Sequence, residues 1–303
     1  MKAICILGPT AVGKSDLAVE AARRFKGEIV NADSMQVFRS LDVGTGMPPP
    51  ELFDTVPHHL YRILDADQEP DAADWARQAA TTMEEIHHRL HVPFVVGGTF
   101  FWVRALFDGF SAIPPILESV RGKLAESHAA SSTGALYARL GKVDPVTARR
   151  LKGGDTQRIL RALEVYEATG TPLSVFQERP ARPAVQARVL KLALSLPREE
   201  LFSRINERVD GMVKAGLVEE VRDLLATGCP DSVRPLRSAS YLPVIRHLAG
   251  EVDLEGMKND VAMSHRRYAK RQLTWLRREP DAVTVARHDE DKAYQLIADF
   301  LGG

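Results

Sequence analysis

The amino-acid sequence predicts an α/β protein, with a P-loop-type parallel sheet core flanked by helices and a helical insertion domain. Short apolar runs alternate with amphipathic segments over the first hundred residues, as is typical of buried parallel strands joined by helices. A glycine-rich motif of the phosphate-binding type follows the first apolar run. Strand patterns disappear at residue 114 and return at residue 187, so the core is predicted to be discontinuous in sequence.

The first part of the core, residues 1–113, contains three predicted strands and two predicted helices. The strands are the apolar runs at 3–7, 28–32 and 92–96, whose lengths suit buried strands. Amphipathic segments at 16–25 and 71–90 carry apolar residues at helical spacing. This order predicts strands that run parallel, with their carboxyl ends at one edge of the sheet.

The insertion domain, residues 114–186, is predicted to be helical. It has helix-like segments at 118–128, 133–140 and 155–170, and the last of them is ended by Gly170 and Pro172. The second part of the core, residues 187–303, reads as a strand at 187–196, a helix from 197 to 226, a long basic helix at about 253–279, a strand at 282–286 and a final helix.

The composition is that of an ordinary globular protein. The 40 basic residues are balanced by 40 acidic ones, so an anionic partner has to be bound by a local patch. The two cysteines, Cys5 and Cys229, exclude a disulfide scaffold. No apolar run approaches the ~18 residues of a membrane-spanning helix. We therefore expect a cytoplasmic protein with no membrane contact, and a monomer by default.

A phosphate-binding loop lies between the first predicted strand and the first predicted helix. Its residues match the pattern G-x-x-x-x-G-K-[ST] and are Gly8, Pro9, Thr10, Ala11, Val12, Gly13, Lys14 and Ser15. In such a loop the backbone amides and the helix N-terminus face phosphate oxygens, and the lysine neutralises their charge. The Ser15 hydroxyl is of the kind that ligates Mg²⁺. The loop therefore predicts a phosphorylated ligand with Mg²⁺.

Asp33 is the candidate catalytic carboxylate. The strand at 92–96 ends in Gly97, Gly98 and Thr99, so it lacks the acidic residue that a nucleoside triphosphatase usually places there. The strand at 28–32 is instead followed by Asp33, at the sheet edge where ligands bind. Asp33 could act as a base toward an acceptor, or it could serve only as a helix cap or in an Asx turn.

Basic residues concentrate in two places. In the predicted helix at 253–279, Arg267, Arg271, Thr274 and Arg278 share one face, with Tyr268 and Trp275 nearby. A second group lies in the insertion and consists of Arg149, Arg150, Lys152, Arg158 and Arg161. These groups could bind a nucleic-acid backbone and stack a base, or they could be solvated faces with core aromatics. We interpret Trp75 as a core residue, and the pairs His58-His59 and His87-His88 lack metal-ligand spacing.

Several strings together resemble the tRNA dimethylallyltransferases, also called tRNA isopentenyltransferases. They are GPTAVGKS, NADSMQVFRSLDVGTG, VPHHL, VVGGT, DPVTARRL, QRILRALEVYEATGTPLS, RINERVDGMVKAGLVEEV and RYAKRQLTWLR. The resemblance implies transfer of a dimethylallyl group from dimethylallyl diphosphate to the exocyclic amine of the adenosine immediately 3′ of the anticodon. It also implies that the phosphate loop holds this prenyl donor and that the basic surfaces bind the anticodon stem-loop.

The resemblance implies a role for each matching residue. Asp33 is the general base, Thr10 hydrogen-bonds the bridging oxygen of the donor, and Gly13, Lys14 and Ser15 hold the diphosphate. One of Arg204 and Arg208 assists, and we assign Arg208. The residues expected to contact tRNA or to flank the substrate channel are Asp33, Ser34, Met35, Gln36, Thr99, Arg121, Gln157, Arg158, Ile159, Leu160, Arg161, Arg237 and Tyr241.

The sequence departs from the family pattern at three places. Phe100, Phe101 and Trp102 follow Thr99, where smaller residues and a tyrosine are usual, so we expect a reshaped channel wall. Ser240 and Leu242 stand where glycine and a basic residue are common, and His265 stands where threonine is common. These departures bear on tRNA affinity more than on the chemistry.

Three other functions use the same features. A small-molecule kinase would use the loop for ATP and Asp33 as a base toward a hydroxyl, and an adenine-nucleotide prenyltransferase would prenylate free nucleotides. A non-enzymatic RNA-binding module would only sense a nucleotide at the loop. The long insertion and the basic helix favour a macromolecular acceptor.

Overall fold

The computed structural model describes residues 1–111, 113–129, 131–179, 181–279 and 281–303, which contain a six-stranded, fully parallel sheet. Its strands are β1 (Lys2–Leu7), β2 (Gly27–Asn31), β3 (His58–His59), β4 (Val92–Gly97), β5 (Arg188–Ser195) and β6 (Ala282–Ala286). Their order across the sheet is β3-β2-β4-β1-β5-β6. The prediction of an α/β protein with a parallel sheet flanked by helices is confirmed.

The chain forms two compact units, Met1–Phe107 with Ala184–Gly303, and Asp108–Pro183. In the first unit the helices are α1 (Lys14–Arg24), α2 (Pro50–Phe53), α3 (Ala72–His88) and α4 (Phe100–Phe107) before the second unit. The second unit contains α5 (Glu118–Ala129), α6 (Thr133–Val143), α7 (Pro145–Arg150), α8 (Thr156–Thr169) and α9 (Leu173–Glu178). The first unit resumes with α10 (Arg198–Lys214), α11 (Leu217–Ala226), α12 (Leu242–Leu248), α13 (Leu254–Leu276) and α14 (Glu290–Gly302). No helix in the described residues is long and apolar enough to cross a membrane.

The sheet order brings three loops to one edge. β1 pairs with β4 on one side and β5 on the other, and its residues 3–7 are completely buried. β2 pairs with the far side of β4. Because the strands are parallel, the segments after β1, β2 and β4 all begin at the same edge, where ligands bind in such sheets. The phosphate loop begins directly after β1, and Asp33 and Thr99 are the second residues after β2 and β4.

The predicted single helix at 197–226 is wrong, because the structure has two helices there. α10 ends at Lys214, and Gly216 adopts a left-handed backbone with φ of 96° before α11 begins at Leu217. Glu219 and Glu220 lie in the first turn of α11, where acidic side chains favour the helix dipole. The sequence contains two glycines in this stretch, and only Gly216 breaks the helix, since Gly211 lies inside α10.

Two further differences concern the end of a helix and an additional strand. α13 ends at Leu276, so Arg278 lies beyond it and does not belong to the basic stripe formed by Arg267 and Arg271. The segment containing His58 and His59 forms the edge strand β3, which the sequence did not indicate as a strand. Its two residues are too few to show the alternation by which a strand is recognised.

The second unit has its own apolar core, built from all of its longer helices. Leu140, Ile159 and Leu163 in this core are completely buried. The buried Asp144 carboxylate accepts hydrogen bonds from the Thr147 N–H and hydroxyl and from the Ser174 N–H, at 2.9, 2.7 and 2.9 Å. Burial alone would raise the pKa of Asp144, but these hydrogen bonds lower it below its ordinary value.

Candidate active site

The phosphate loop curls between β1 and α1. Gly13 has φ of 93°, and a Cβ added there would lie 2.3 Å from the Arg287 Nε, so no other residue fits without a shift. The Lys14 Nζ donates a hydrogen bond to the Pro9 carbonyl at 2.9 Å, which holds the ammonium across the loop. Desolvation lowers the pKa of Lys14 to about 8, an effect that Asp33 opposes and Arg208 strengthens. These three charged groups therefore lie close enough to interact.

Asp33 follows β2 in a tightly hydrogen-bonded turn. Its N–H donates to the Asn31 Oδ1 at 2.9 Å, and its own Oδ1 accepts from the Met35 N–H at 2.9 Å. The Asn31 carbonyl in turn accepts from the Trp75 Nε1 at 3.0 Å, which confirms Trp75 as a core residue. Asp33 therefore does form an Asx turn. The turn uses one carboxylate oxygen, and the other accepts no hydrogen bond from the described residues.

A cavity of about 540 Å³, which we call the phosphate cavity, connects these features. It is lined by Thr10, Lys14 and Ser15 from the loop and by Asp33. A second, middle cavity of about 340 Å³ is lined partly by the same residues, which are Thr10, Asp33, Thr45 and Arg208. Asp33 and Thr10 therefore lie at the boundary between the two cavities.

A third cavity, which we call the arginine cleft, adjoins the middle cavity. Its volume is about 410 Å³, and Arg237, Arg246, Arg267 and Arg271 line it together with one acidic residue, Asp260. Arg237 and Arg271 also line the middle cavity. All three cavities lie within the first compact unit. The shared lining residues describe a path from the phosphate loop, past Asp33, to a basic surface.

Arg204 and Arg208 both reach the phosphate cavity from α10, where they are one helical turn apart. The Arg204 Nε donates to the Ala11 carbonyl at 2.9 Å and supports the loop from its backbone side. The Arg208 Nη2 donates to the Thr45 carbonyl at 3.4 Å. Burial lowers the pKa of Arg208, and nearby Asp33 opposes that shift. Arg208 is thus the arginine beside the candidate catalytic carboxylate.

Gln272 is a site residue that sequence reasoning missed. Its side chain is buried, it accepts a hydrogen bond from the Thr10 N–H at 2.9 Å, and it donates to the Gly98 carbonyl at 3.0 Å. The residue lies inside the string RYAKRQLTWLR that carries the resemblance. The sequence did not indicate a role for Gln272, because its hydrogen-bond partners are backbone atoms that are distant in sequence.

The segments after β2 and β4 are connected by Thr99. Its Oγ1 accepts from the Ser34 N–H at 3.0 Å and lies 3.3 Å from the Ser34 hydroxyl. Ser34 and Met35 line the middle cavity, and Gln36 lines the phosphate cavity. The segment 33–36 therefore contributes to both cavities, while Thr99 holds it in place.

Tyr241 does not offer a stacking surface. Its side chain is completely buried, and its hydroxyl donates to the Glu220 Oε1 at 2.8 Å. The expected contact of Tyr241 with tRNA therefore does not fit this structure, in which the ring packs against Gly44. Arg237 remains on the path, because it lines both the middle cavity and the arginine cleft.

The remaining residues predicted to contact tRNA lie in the second unit. Arg121 is on α5, and Gln157, Arg158, Ile159, Leu160 and Arg161 are on α8. The three arginines are exposed and form ion pairs with Glu118, Asp155 and Glu164. Ile159 is completely buried in the core of the unit, so its side chain cannot meet a ligand at the surface.

The aromatic residues after Thr99 divide between core and surface. Phe100 and Trp102 are buried in α4, and the Trp102 ring stacks on Trp75 with centroids 4.9 Å apart. Neither side chain lines the three cavities described above, and the expected reshaping of a channel wall stays a prediction. Phe101 is 53% exposed. Leu242, where a basic residue is common, lines the arginine cleft.

Models of two protein families match this chain. The "IPP transferase" model matches residues 36–279, and the "Isopentenyl transferase" model matches residues 1–62. The two matches therefore include the phosphate loop, Asp33, α10 and α13.

Curated relatives are similar over nearly the whole chain. The tRNA dimethylallyltransferase of Geobacter sulfurreducens is 45% identical over 279 residues, covering 92% of this chain and 90% of the relative. That of Syntrophobacter fumaroxidans is 45% identical, with 92% and 81% covered. That of Halorhodospira halophila is 41% identical, with 99% and 98% covered.

Two solved structures extend the comparison to three dimensions. A tRNA isopentenylpyrophosphate transferase from Bacillus halodurans is 33% identical, with a TM-score of 0.73 and coverage of 99% of this chain and 97% of its own. A eukaryotic dimethylallyltransferase acting on tRNA is 26% identical, with a TM-score of 0.85 and coverage of 99% and 79%.

Proposed function

The chain belongs to the IPP transferase family, and we propose that it transfers a dimethylallyl group from dimethylallyl diphosphate to the exocyclic amine of the adenosine immediately 3′ of the anticodon in tRNA. One observation carries this function. Asp33 lies where the phosphate cavity meets the middle cavity, beside Thr10, Lys14 and Arg208. The candidate general base therefore lies where the two cavities meet beside the phosphate loop.

The phosphate cavity suits the diphosphate of the donor. The backbone of the loop, the N-terminus of α1, Lys14 and Arg208 present positive charge or N–H donors to it. Thr10 borders both cavities, so its hydroxyl can donate to the bridging oxygen as the allylic carbon enters the middle cavity. These groups contribute most as diphosphate leaves, because they stabilise the negative charge that develops on it.

Asp33 acts on the acceptor. The adenosine amine forms a new C–N bond to the allylic carbon, the C–O bond to diphosphate breaks, and diphosphate leaves with the electron pair. The amine proton passes to the free oxygen of the Asp33 carboxylate, while the other oxygen stays in its hydrogen bond with the Met35 N–H. The turn after β2 therefore keeps the base oriented during transfer.

Magnesium fits this site as a partner of the diphosphate. The described residues contain no group of three or more His, Cys, Asp or Glu side chains that could hold a metal alone. Mg²⁺ is commonly held by one or two protein oxygens together with phosphate oxygens and water, and the Ser15 hydroxyl lines the phosphate cavity. Ser15 would hold the ion against the diphosphate, where it would neutralise the charge of the leaving group.

The tRNA is proposed to approach over the arginine cleft, with the exposed arginines of the second unit as further phosphate contacts. The cleft opens into the middle cavity through Arg237 and Arg271, so a flipped-out base could reach Asp33 while its backbone stays on the basic surface. We expect the nucleobase to be recognised in the middle cavity, because contacts to the tRNA phosphates carry no sequence information.

Labelling separates this function from the alternatives. The protein is incubated with unmodified tRNA or AMP, together with dimethylallyl diphosphate labelled in the prenyl group or ATP labelled at the γ-phosphate. We expect label on tRNA from the prenyl donor alone. Label on AMP from the prenyl donor would identify a nucleotide prenyltransferase, and label from ATP on either acceptor would identify a kinase.

A further inference from the structure

The backbone of residues 42–46 forms part of the wall around Arg208. Thr45 and Gly46 line the phosphate cavity, and Gly44 and Thr45 line the middle cavity. A Cβ added to Gly46 would lie 1.5 Å from the Arg208 Nη2, and the same nitrogen donates to the Thr45 carbonyl. The path of this backbone therefore decides where the guanidinium can sit. We call residues 42–46 the arginine seat.

Glu220 holds the arginine seat at one end. Its Oε2 accepts hydrogen bonds from the N–H groups of Asp42 and Val43 at 2.5 and 2.7 Å, and its Oε1 accepts from the Gly44 N–H at 2.9 Å. The seat contains no helix or strand, so these side-chain contacts replace the hydrogen bonds that regular structure would supply.

Ser240 holds the arginine seat at Gly44 from the other side. The Ser240 hydroxyl is buried and donates to the Gly44 carbonyl at 2.6 Å. The His265 Nε2 lies 2.8 Å from the same hydroxyl oxygen. Because the Ser240 hydroxyl proton lies in the hydrogen bond to the Gly44 carbonyl, the His265 Nε2 must be the donor in the second contact. The buried imidazole is therefore in its Nε2–H form.

The electrostatic surroundings agree with a neutral imidazole. Burial, together with the nearby charge of Arg208, lowers the pKa of His265 to about 4. The hydrogen bonds thus run in one direction, from His265 to Ser240 to the Gly44 carbonyl.

Ser240 and His265, both expected from the sequence to depart from the family pattern, lie in contact with each other. A glycine at position 240 has no hydroxyl, so the link to Gly44 requires the serine. The histidine then supplies the donor that the serine oxygen would otherwise lack. The two departures form one hydrogen-bonded unit in this chain.

We propose that Ser240 and His265 are positioning residues, which fix the arginine seat through Gly44 and thereby hold the Arg208 guanidinium in place for diphosphate. Both side chains line the middle cavity but not the phosphate cavity, so their effect on diphosphate is proposed to pass through the seat. The proposal rests on the proposed function, because it takes diphosphate as the ligand of Arg208.

Isothermal titration with inorganic diphosphate and Mg²⁺ tests the proposal without tRNA. Ser240→Ala and His265→Asn remove the donor chain, and we expect each to weaken diphosphate binding by about tenfold, as for one lost hydrogen bond. His265→Gln places an amide N–H near the position of Nε2 and should bind within about twofold of wild type. Ser174→Ala, at a buried serine of the second unit, is the matched control and should bind like wild type.

A double-mutant cycle shows whether the effect passes through Arg208. In an Arg208→Ala background, Ser240→Ala should cause no further loss of diphosphate affinity. An equal loss in that background, or unchanged binding by the folded Ser240→Ala and His265→Asn variants, would overturn the proposal. Failure of the wild-type protein to bind diphosphate at all would overturn the proposed function and this proposal with it. Thermal unfolding of each variant establishes that it is folded.

Discussion

The Gln272 side chain links the N–H of Thr10, at 2.9 Å, to the carbonyl of Gly98, at 3.0 Å. One buried amide on α13 thus connects the segment after β1 with the segment after β4. Its contact with Thr10 joins residues that are 262 positions apart in the chain. The conformation of the phosphate loop at Thr10 therefore depends on the helix that also carries Arg267 and Arg271.

Replacing Gln272 with methionine tests this link. Methionine has a similar volume but leaves the Thr10 N–H and the Gly98 carbonyl without partners, at a cost of about 1–3 kcal/mol. We expect kcat/KM for dimethylallyl diphosphate to fall by about 10-fold or more, with a lower melting temperature. Steady-state kinetics and thermal unfolding measure the two effects. Unchanged kinetics in a folded variant would exclude a role for Gln272 in placing Thr10.

The Asp33→Asn variant tests the role of Asp33 as a general base separately from its role in the turn after β2. Asparagine retains an oxygen that can accept from the Met35 N–H, so the variant should fold like wild type. It cannot take up the amine proton, and we expect single-turnover transfer to tRNA to slow by about 10²–10⁴-fold. Diphosphate affinity should change little. Near-normal transfer would show that another group accepts the proton.

The lowered pKa of Lys14 predicts that kcat/KM for the prenyl donor depends on pH. Desolvation lowers its pKa to about 8, so the cation that attracts diphosphate predominates below that pH and is lost above it. We expect kcat/KM for dimethylallyl diphosphate to fall as pH rises above about 8, since this ratio reports the free enzyme. In Lys14→Gln the ratio should be low and should lack that decline. The same decline in both proteins would assign it to another group.

Arg271→Ala tests the arginine cleft. Arg271 borders both the cleft and the middle cavity, so its loss should raise KM for tRNA while KM for the prenyl donor stays constant. If Arg271 contacts a phosphate, the slope of log affinity against log salt concentration should decrease by about one. Arg23→Ala removes an equal charge from an exposed position on α1 and serves as control. Equal effects of the two variants would mean that only net charge matters.

The strands and the phosphate loop could be predicted because their signals are local. The apolar run before Gly8 has to be buried, and the glycines and Lys14 have one known use in that order. The break at Gly216 was missed because Gly211, five residues earlier, is equally small and yet stays helical. Only the left-handed backbone of Gly216 distinguishes them, and tertiary packing decides which glycine adopts it.

The parts of the site that could not be predicted depend on contacts distant in sequence. Gln272 acts on backbone atoms of Thr10 and Gly98, and Glu220 acts on the N–H groups of residues 42–44. Backbone partners leave no residue pattern, so neither side chain was singled out. Tyr241 was expected to contact tRNA, but its ring is buried in the core and its hydroxyl donates to Glu220.

Glu28 predicts how stability depends on pH. Its buried carboxylate accepts hydrogen bonds from His59, Arg89 and His91. Burial would raise its pKa, but these partners lower it from 4.5 to about 2. Such a group stabilises the fold above pH 4.5 and loses this contribution as pH falls from 4.5 toward 2; the shift corresponds to about 3 kcal/mol. Glu28→Gln should therefore unfold at a lower temperature than wild type at pH 7 and should lose less stability on acidification. The exposed control variant Glu84→Gln should follow wild type. If the melting temperatures of the two variants changed in parallel from pH 7 to 2.5, this role of Glu28 would be contradicted.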